Sequence, residues 1–334
     1  MIGRTNGARI SITGLGCHVP ERVLTNDDLS KLVDTTDEWI VERTGIRERR
    51  IAADDEALTD ICLPAARRAL ELANADPASI DLVIVATVTP DMTFPSSSAL
   101  LADALGMHSA AAYDLSAGCT GFVYAIAQAH AMLAAGLAGR ALVVGADVLS
   151  KILDWEDRST LVLFGDGAGA VVLEPVPAGG FLGFELGADG GGGANLWLPG
   201  SGSRRFEDPQ RHVKMNGREV FKFATRVMVS SAQAILAECG KTIDDVDVYV
   251  PHQANVRIID HAARKLGVPD GRTVVNVQKY GNTSSGSIPL ALADAAGEGR
   301  LEPGKLVLLT GMGAGLTWGS ALIEWTHPTT GALV

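Results

Sequence analysis

The chain has 334 residues, enough for two domain-sized units whose core needs no disulfide or metal staple. Its 47% hydrophobic and 20% charged residues exclude a wholly disordered chain. With 28 Lys+Arg against 39 Asp+Glu, the net charge of −11 disfavours nucleic acid and anionic membranes as general partners.

In chain order, Met1 to Ile12 carries Arg4 and Arg9 and no long apolar run, so it does not read as a signal peptide. Strand-like runs then alternate with helical stretches, which predicts α/β layering. The first half offers strands at Ile10–Leu15, Leu82–Thr87, Ala141–Gly145 and Gly169–Leu173. The uncharged run Gly121–Gly139 is rich in Ala and Gly and holds Gln128 and His130, so it reads as a helix buried on all sides rather than a membrane span. Gly190–Gly193 reads as a flexible loop. The second half offers strands at Phe181–Leu186, Val246–Val250, Thr273–Val277, Leu306–Thr310 and Ser320–Trp325, with helices over Gly217–Cys239 and Val256–Leu266. Cys17, Cys62, Cys119 and Cys239 have neither CxxC nor zinc-like spacing, which predicts a reduced, cytoplasmic chain without a metal site.

The halves resemble each other. Ile80–Val85 is similar to Val246–Pro251, and Gly139–Gly145 to Gly304–Gly311, both displaced by about 165 residues. Ala111–Thr120 and its following helix are likewise similar to Val274–Thr283 and its helix, which pairs Cys119 with Asn282. Such a displacement is too long for a solenoid and implies two duplicated α/β halves, 1–175 and 176–334, about a pseudo-twofold axis. Ligands of open α/β sheets sit at the carboxyl ends of strands, so the residues that follow the strands are the site candidates.

Cys119 follows Tyr113-Asp114-Leu115 at a strand-to-helix turn, where a helix N-terminus favours the thiolate and lowers its pKa. Gly118 and Gly121 allow close approach, while the other three cysteines read as small core residues. His252 follows the strand Val246–Val250, and Asn282 follows Thr273–Val277. Together the three form a nucleophile with two hydrogen-bonding partners. The Gly-rich run Thr310–Leu316 leads into a strand rather than a helix, so it is no dinucleotide loop; its backbone N–H groups suit an oxyanion.

Six ordered motifs then carry a resemblance. Thr36-Asp37-Glu38-Trp39-Ile40-Val41 with Arg43-Thr44-Gly45-Ile46, Ala117-Gly118-Cys119, Leu163-Phe164-Gly165-Asp166-Gly167-Ala168-Gly169, Pro251-His252-Gln253-Ala254-Asn255, Gly281-Asn282-Thr283-Ser284 and Thr317-Trp318-Gly319-Ser320 resemble the β-ketoacyl-acyl-carrier-protein synthase III family, over nearly the whole chain. That family initiates type II fatty acid synthesis, and its Cys–His–Asn set separates it from elongating ketosynthases with Cys–His–His. The resemblance implies a thiolase-like fold in five αβαβα layers. It implies a ping-pong reaction in which Cys119 takes an acyl group from acyl-CoA and passes it to decarboxylating malonyl-acyl carrier protein. His252 and Asn282 would stabilise the enolate, and the N–H groups of Cys119 and Ala314 the tetrahedral oxyanion. Acyl-CoA is then a substrate, and no cofactor is implied.

The same resemblance places Trp39 and Arg158 on the CoA adenine, Arg43 and Thr44 along the nucleotide end and Asn255 on the pantetheine arm, and counts Phe221 among the CoA-binding residues. Phe164 and Leu196 would shape the acyl pocket, and Phe94 would reach into the partner's pocket across a homodimer. The carrier protein would meet Lys222, Gln253, Ala254, Asn255, Val256, Arg257, Arg264 and Lys265. Arg218, Lys222 and Arg226 share one face of their helix, a local basic patch on an acidic chain. Two alternatives use the same Cys: a related acyltransferase without condensation, and a secondary-metabolite ketosynthase. A third reading is a catalytically dead partner subunit. Intact His252 and Asn282 favour condensation, and an intact Cys119 speaks against a dead subunit.

Overall fold

The computed structural model describes residues 1–5, 7–200, 202–207 and 210–327; Asn6, Ser201, Asp208, Pro209 and residues 328–334 lie outside the described residues. Runs such as Leu82–Ala86 and Ala141–Asp147 are buried along their whole length, as central strands covered on both faces require. They lie in a five-stranded sheet ordered Ile10–His18, Gly167–Pro175, Ala141–Asp147, Leu82–Ala86, Ala111–Leu115. A second five-stranded sheet runs Ile2–Arg4, Gly180–Ala188, Thr317–Glu324, Leu306–Gly313, Val248–Pro251.

Helix Leu58–Leu72 packs on the outer face of the first sheet, and helices Gly121–Ala134 and Ser287–Gly297 touch strands of both sheets from the layer between them. Helix Gly217–Glu238 packs on the other face of the second sheet, with Val256–Leu266 beside it. The result is five layers in the order αβαβα. Phe122, Ile126, Leu290, Leu309 and Ile323 meet in the central layer, all essentially sealed from solvent. Burial of each such side chain contributes roughly 1.5–3 kcal/mol.

Both sheets follow one connection order. The neighbours Ile10–His18, Gly167–Pro175, Ala141–Asp147 and Leu82–Ala86 in one correspond to Gly180–Ala188, Thr317–Glu324, Leu306–Gly313 and Val248–Pro251 in the other: in each set the first strand in the chain lies beside the last, the last beside the one that precedes it in the chain, and that one beside the remaining strand. Ile2–Arg4 crosses the expected division and pairs with Gly183–Glu185 of the second sheet.

Three local expectations are corrected. The strand expected over Thr273–Val277 reduces to a single bridge between Tyr249 and Thr273, and Val277–Tyr280 turns helical. The buried Gln253 side chain has taken the place of a strand neighbour. Its amide nitrogen donates to the carbonyl of Val274, and its Oε1 accepts from the N–H groups of Asn276 and Val277. The uncharged helix ends at Ala134 and is not buried on all sides, because Gln128, Ala131 and Ala134 are exposed. Among the described residues, no helix is long and apolar enough to cross a membrane. Gly190–Asn195 is a short 3-10 helix rather than an irregular loop. Two small pairings, Arg22–Thr25 with Glu48–Ile51 and Leu196–Trp197 with Lys214–Met215, had no clear sequence signal.

Candidate active site

Cys119 sits in a 3-10 turn, Gly118–Thr120, between the strand Ala111–Leu115 and the helix Gly121–Ala134. Gly118 enters the turn at φ +57°, and a β-carbon there would lie 2.7 Å from the Ala314 nitrogen, so only glycine fits. The second half repeats this turn at Ser284–Gly286, before helix Ser287–Gly297, with Ser284 at φ +52°. The counterpart of Cys119 is therefore Ser285, which corrects the pairing with Asn282. Ser285 is structural. Its hydroxyl lies 2.8 Å from the Ala86 carbonyl and 2.7 Å from Asp147 Oδ2, in a buried network that also holds Thr87 and Thr89 on Oδ1.

Burial pushes the Cys119 thiol up to about 12, against hydrogen bonds from the Ser284 hydroxyl and from the N–H groups of Cys119 and Ala314; the Asp147 carboxylate adds to the rise. The expected lowering by the helix terminus is overturned, because removing the sulfur from water outweighs the partial charge of the turn. The resting group is a thiol.

His252 follows Val248–Pro251, and its backbone N–H donates to the Thr310 carbonyl at 2.7 Å. Its Nδ1 meets Ser287 Oγ at 2.5 Å, while Nε2 is buried without a partner. Burial lowers its pKa to about 3, so the imidazole is neutral at physiological pH. Asn282 is fixed by its own backbone, which exchanges hydrogen bonds with Leu163 and Gly165 around Phe164. Its Oδ1 accepts from the Ser284 N–H at 2.9 Å, and Nδ2 has no hydrogen-bond partner among the described residues. Cys119, His252 and Asn282 line one cavity of about 140 Å³, together with Phe164, Leu196, Phe221, Asn255 and Met312.

Other expected residues divide. Thr36 caps the helix Asp37–Thr44, which presents Trp39 and Arg43; the Arg43 guanidinium lies 4.4 Å from the indole centroid and that of Arg158 5.2 Å. Arg158 thus rests on the indole itself, and a base entering between them would displace it. Thr44 is buried, and its hydroxyl is engaged by main chain, donating to the Ile40 carbonyl and accepting from the Ile46 N–H. Asn255 caps the helix Val256–Leu266 through Oδ1 and donates to the Arg43 carbonyl, tying the two helices together. Gln253 is withdrawn from any docking surface, because it is 1% exposed and its amide is spent on backbone groups. Ala254 is also buried, at the cavity wall, so it offers no docking surface either. Phe94 lies away from its own chain's cavity and is 82% exposed. Arg257 covers the Phe221 ring at 5.6 Å, and with Asp260, His261 and Arg264 lines a surface groove of about 300 Å³. Lys222 is held by Glu219 at 2.7 Å; Arg218, Arg226 and Lys265 are exposed, and Val256 is half-buried.

The sequence reading missed Ser284 and Ser287. Their signal was present in the hydroxyl-rich run Thr283-Ser284-Ser285-Gly286-Ser287 beside Asn282.

Comparison with known proteins shows the family. Residues 113–190 match the family model described as 3-oxoacyl-[acyl-carrier-protein (ACP)] synthase III, and residues 236–325 the model of its C-terminal part. The chain is 51% identical to the beta-ketoacyl-[acyl-carrier-protein] synthase III of Desulfitobacterium hafniense, covering 95% of this chain and 98% of that one. It is 53% identical to the protein of the same name from Symbiobacterium thermophilum, at 95% and 98% coverage. Among solved structures, the 3-oxoacyl-[acyl-carrier-protein] synthase III of Aquifex aeolicus superposes with a TM-score of 0.90 at 45% identity, covering 95% and 100% of the two chains. The priming beta-ketosynthase of the R1128 polyketide pathway superposes with a TM-score of 0.91 at 38% identity, covering 97% and 99%.

Proposed function

The chain belongs to the 3-oxoacyl-[acyl-carrier-protein] synthase III family and catalyses the condensation that initiates fatty acid synthesis; on that premise we propose that Cys119 carries the acyl group and that His252 and Asn282 stabilise the enolate of the incoming malonyl unit. The observation that carries this assignment is the shared cavity, which Cys119, His252 and Asn282 line together, with Nε2 and Nδ2 lacking a hydrogen-bond partner among the described residues.

In the first half-reaction, the Cys119 sulfur attacks the thioester carbonyl of acyl-CoA. The N–H groups of Cys119 and Ala314 hold the oxyanion, and the tetrahedral adduct collapses to acyl-Cys119 and CoA. The thiol proton leaves with the CoA sulfur, so the step balances. Each such oxyanion donor is worth about 10²–10³ in rate. In the second half-reaction, malonyl-acyl carrier protein loses CO2, and the charge passes to its thioester oxygen. His252 Nε2–H and Asn282 Nδ2–H donate to that oxygen. The enolate carbon attacks acyl-Cys119, forming a carbon–carbon bond and releasing the Cys119 thiolate, which takes up one proton. A neutral imidazole suits this role, because it donates without adding a buried charge. No electron leaves or enters the sequence, so these steps call for no redox cofactor.

Trp39, Arg43 and Arg158 form the nucleotide end of the acyl-CoA site, Phe221 and Asn255 border the arm, and Phe164 and Leu196 close the acyl pocket. The groove at Arg257 and Arg264 is the landing face for the acidic carrier protein. The exposed Phe94 completes a partner's pocket in a homodimer, and the enzyme works in the cytoplasm. The deciding experiment follows mass and gas. Wild-type protein gains one acyl mass from acyl-CoA and releases CO2 from malonyl-acyl carrier protein, whereas Cys119→Ala gains none. An acyl mass on Cys119→Ala overturns the nucleophile, and acyl transfer without CO2 release points to the non-condensing acyltransferase.

A further inference from the structure

His252 can donate from Nε2 only if its proton sits there and not on Nδ1, and a neutral imidazole has one proton for two nitrogens. The surroundings of Nδ1 decide between them. Two groups approach Ser287 Oγ: His252 Nδ1 at 2.5 Å and the backbone N–H of Gln253 at 3.4 Å. Ser287 is 1% exposed, and its hydroxyl meets no other acceptor among the described residues. The Gln253 N–H can only donate, so it takes one lone pair of Oγ. If Nδ1 also carried a proton, Oγ would accept twice and its own hydrogen would be buried without an acceptor. An unmet buried donor costs about 1–3 kcal/mol. If instead the Ser287 hydroxyl donates to Nδ1, Gln253 N–H meets Oγ and Oγ–H meets Nδ1, and the ring N–H on Nε2, at the cavity, is the one group left unmet among the described residues; the other tautomer leaves both Oγ–H and Nε2 unmet.

We propose that Ser287 is a positioning residue that fixes His252 in the Nε2–H tautomer, and so makes it a hydrogen-bond donor into the cavity rather than an acceptor for the Cys119 proton. The geometry leaves little freedom. Ser287 is the first residue of the helix Ser287–Gly297, its N–H bonds the Ser284 carbonyl, and the His252 main chain is pinned to Thr310. The serine and the imidazole are therefore held by two different elements whose spacing the fold sets. The consequence for the reaction is specific: Ser287 serves the decarboxylation half and is dispensable for acylation.

This rests on the reading of His252 as an enolate donor, and the test separates the two. Long-range 1H–15N correlation spectra of histidine-labelled protein at pH 7 report which ring nitrogen carries the proton; the His252 signals are those that vanish in His252→Ala. The wild type is expected to show the Nε2–H tautomer, and Ser287→Ala a mixture of both. In the same Ser287→Ala protein, CO2 release from malonyl-acyl carrier protein is expected to fall about tenfold or more, with the rate of acyl mass gain at Cys119 within about threefold of wild type. Ser287→Thr, which keeps a hydroxyl, is expected to restore the single tautomer. An Nδ1–H tautomer in the wild type overturns the proposal even if Ser287→Ala does not fold. So does an unchanged tautomer together with an unchanged CO2 rate in Ser287→Ala. If His252→Ala still releases CO2 at the wild-type rate, the enolate-donor reading fails while the tautomer assignment stands.

Discussion

Gly313→Ala adds one methyl group at the point where the two halves of the site touch. A β-carbon at Gly313 would lie 2.4 Å from the Cys119 nitrogen and 3.1 Å from both Gly118 C and Thr120 N. The shortest of these falls about 1 Å short of ordinary van der Waals contact. The backbone at 313 is not in the left-handed region, so the effect is steric alone. The neighbour that must yield is main chain, in a tight turn, and its N–H is one of the two groups proposed to hold the oxyanion. A displacement of about 1 Å at a reacting centre costs about 10² in rate, and loss of one oxyanion donor about 10²–10³. Overpacking adds roughly 1–3 kcal/mol of destabilisation. Acylation of Gly313→Ala is therefore expected to slow at least about 100-fold, measured as acyl mass gained per minute by intact mass spectrometry, with a thermal melt to show that the protein is folded. Gly297→Ala is the control, since a β-carbon there meets nothing within 4 Å at the end of a helix; it is expected to acylate normally. Acylation of Gly313→Ala within about threefold of wild type, with an unchanged melt, refutes the argument that this contact places the nucleophile.

Burial holds the folded-state pKa of His252 near 3 against an ordinary 6.5. Between those values the unfolded chain binds a proton that the folded chain does not, so stability falls as pH drops through 6.5. The loss from pH 7 to pH 5 is about 2 kcal/mol, and urea unfolding of His252→Ala is expected to show that much less pH dependence than wild type over the interval. Equal dependence in the two proteins refutes the buried neutral imidazole. Ser285→Ala strips the Asp147 carboxylate and the Ala86 carbonyl of a buried hydroxyl and is expected to lower unfolding free energy by roughly 1–3 kcal/mol; no change contradicts the structural role given to this counterpart of Cys119. Arg257→Glu is expected to raise the KM for malonyl-acyl carrier protein about tenfold at low salt, with a smaller change for acyl-CoA and a weaker salt dependence. An unchanged KM at both low and high salt removes Arg257 from the docking face.

Much of this protein is written locally. Continuous apolar runs such as Leu82–Ala86 and Leu306–Thr310 fixed the buried central strands, because only a strand covered on both faces stays apolar at every position. The order of motifs around Cys119, His252 and Asn282 was enough to name the family and the chemistry. What the sequence could not decide depended on groups far apart in the chain. Thr273–Val277 has the composition of a strand, yet Gln253, some twenty residues earlier, satisfies its backbone with a side chain and releases it from the sheet. Cys119 has the position of a low-pKa thiol, yet the packing of both halves around it removes water and reverses the shift. Thr44 and Gln253 stand inside the recognised motifs, yet their polar groups are consumed by neighbouring main chain. The pairing of Cys119 with Ser285 rather than Asn282 required backbone angles, since matching turns at Gly118 and Ser284 are visible only in three dimensions. The physical reason is common to all four. Propensity and pattern set which elements form, but desolvation and hydrogen-bond satisfaction are summed over every neighbour, and only the assembled fold supplies the neighbours.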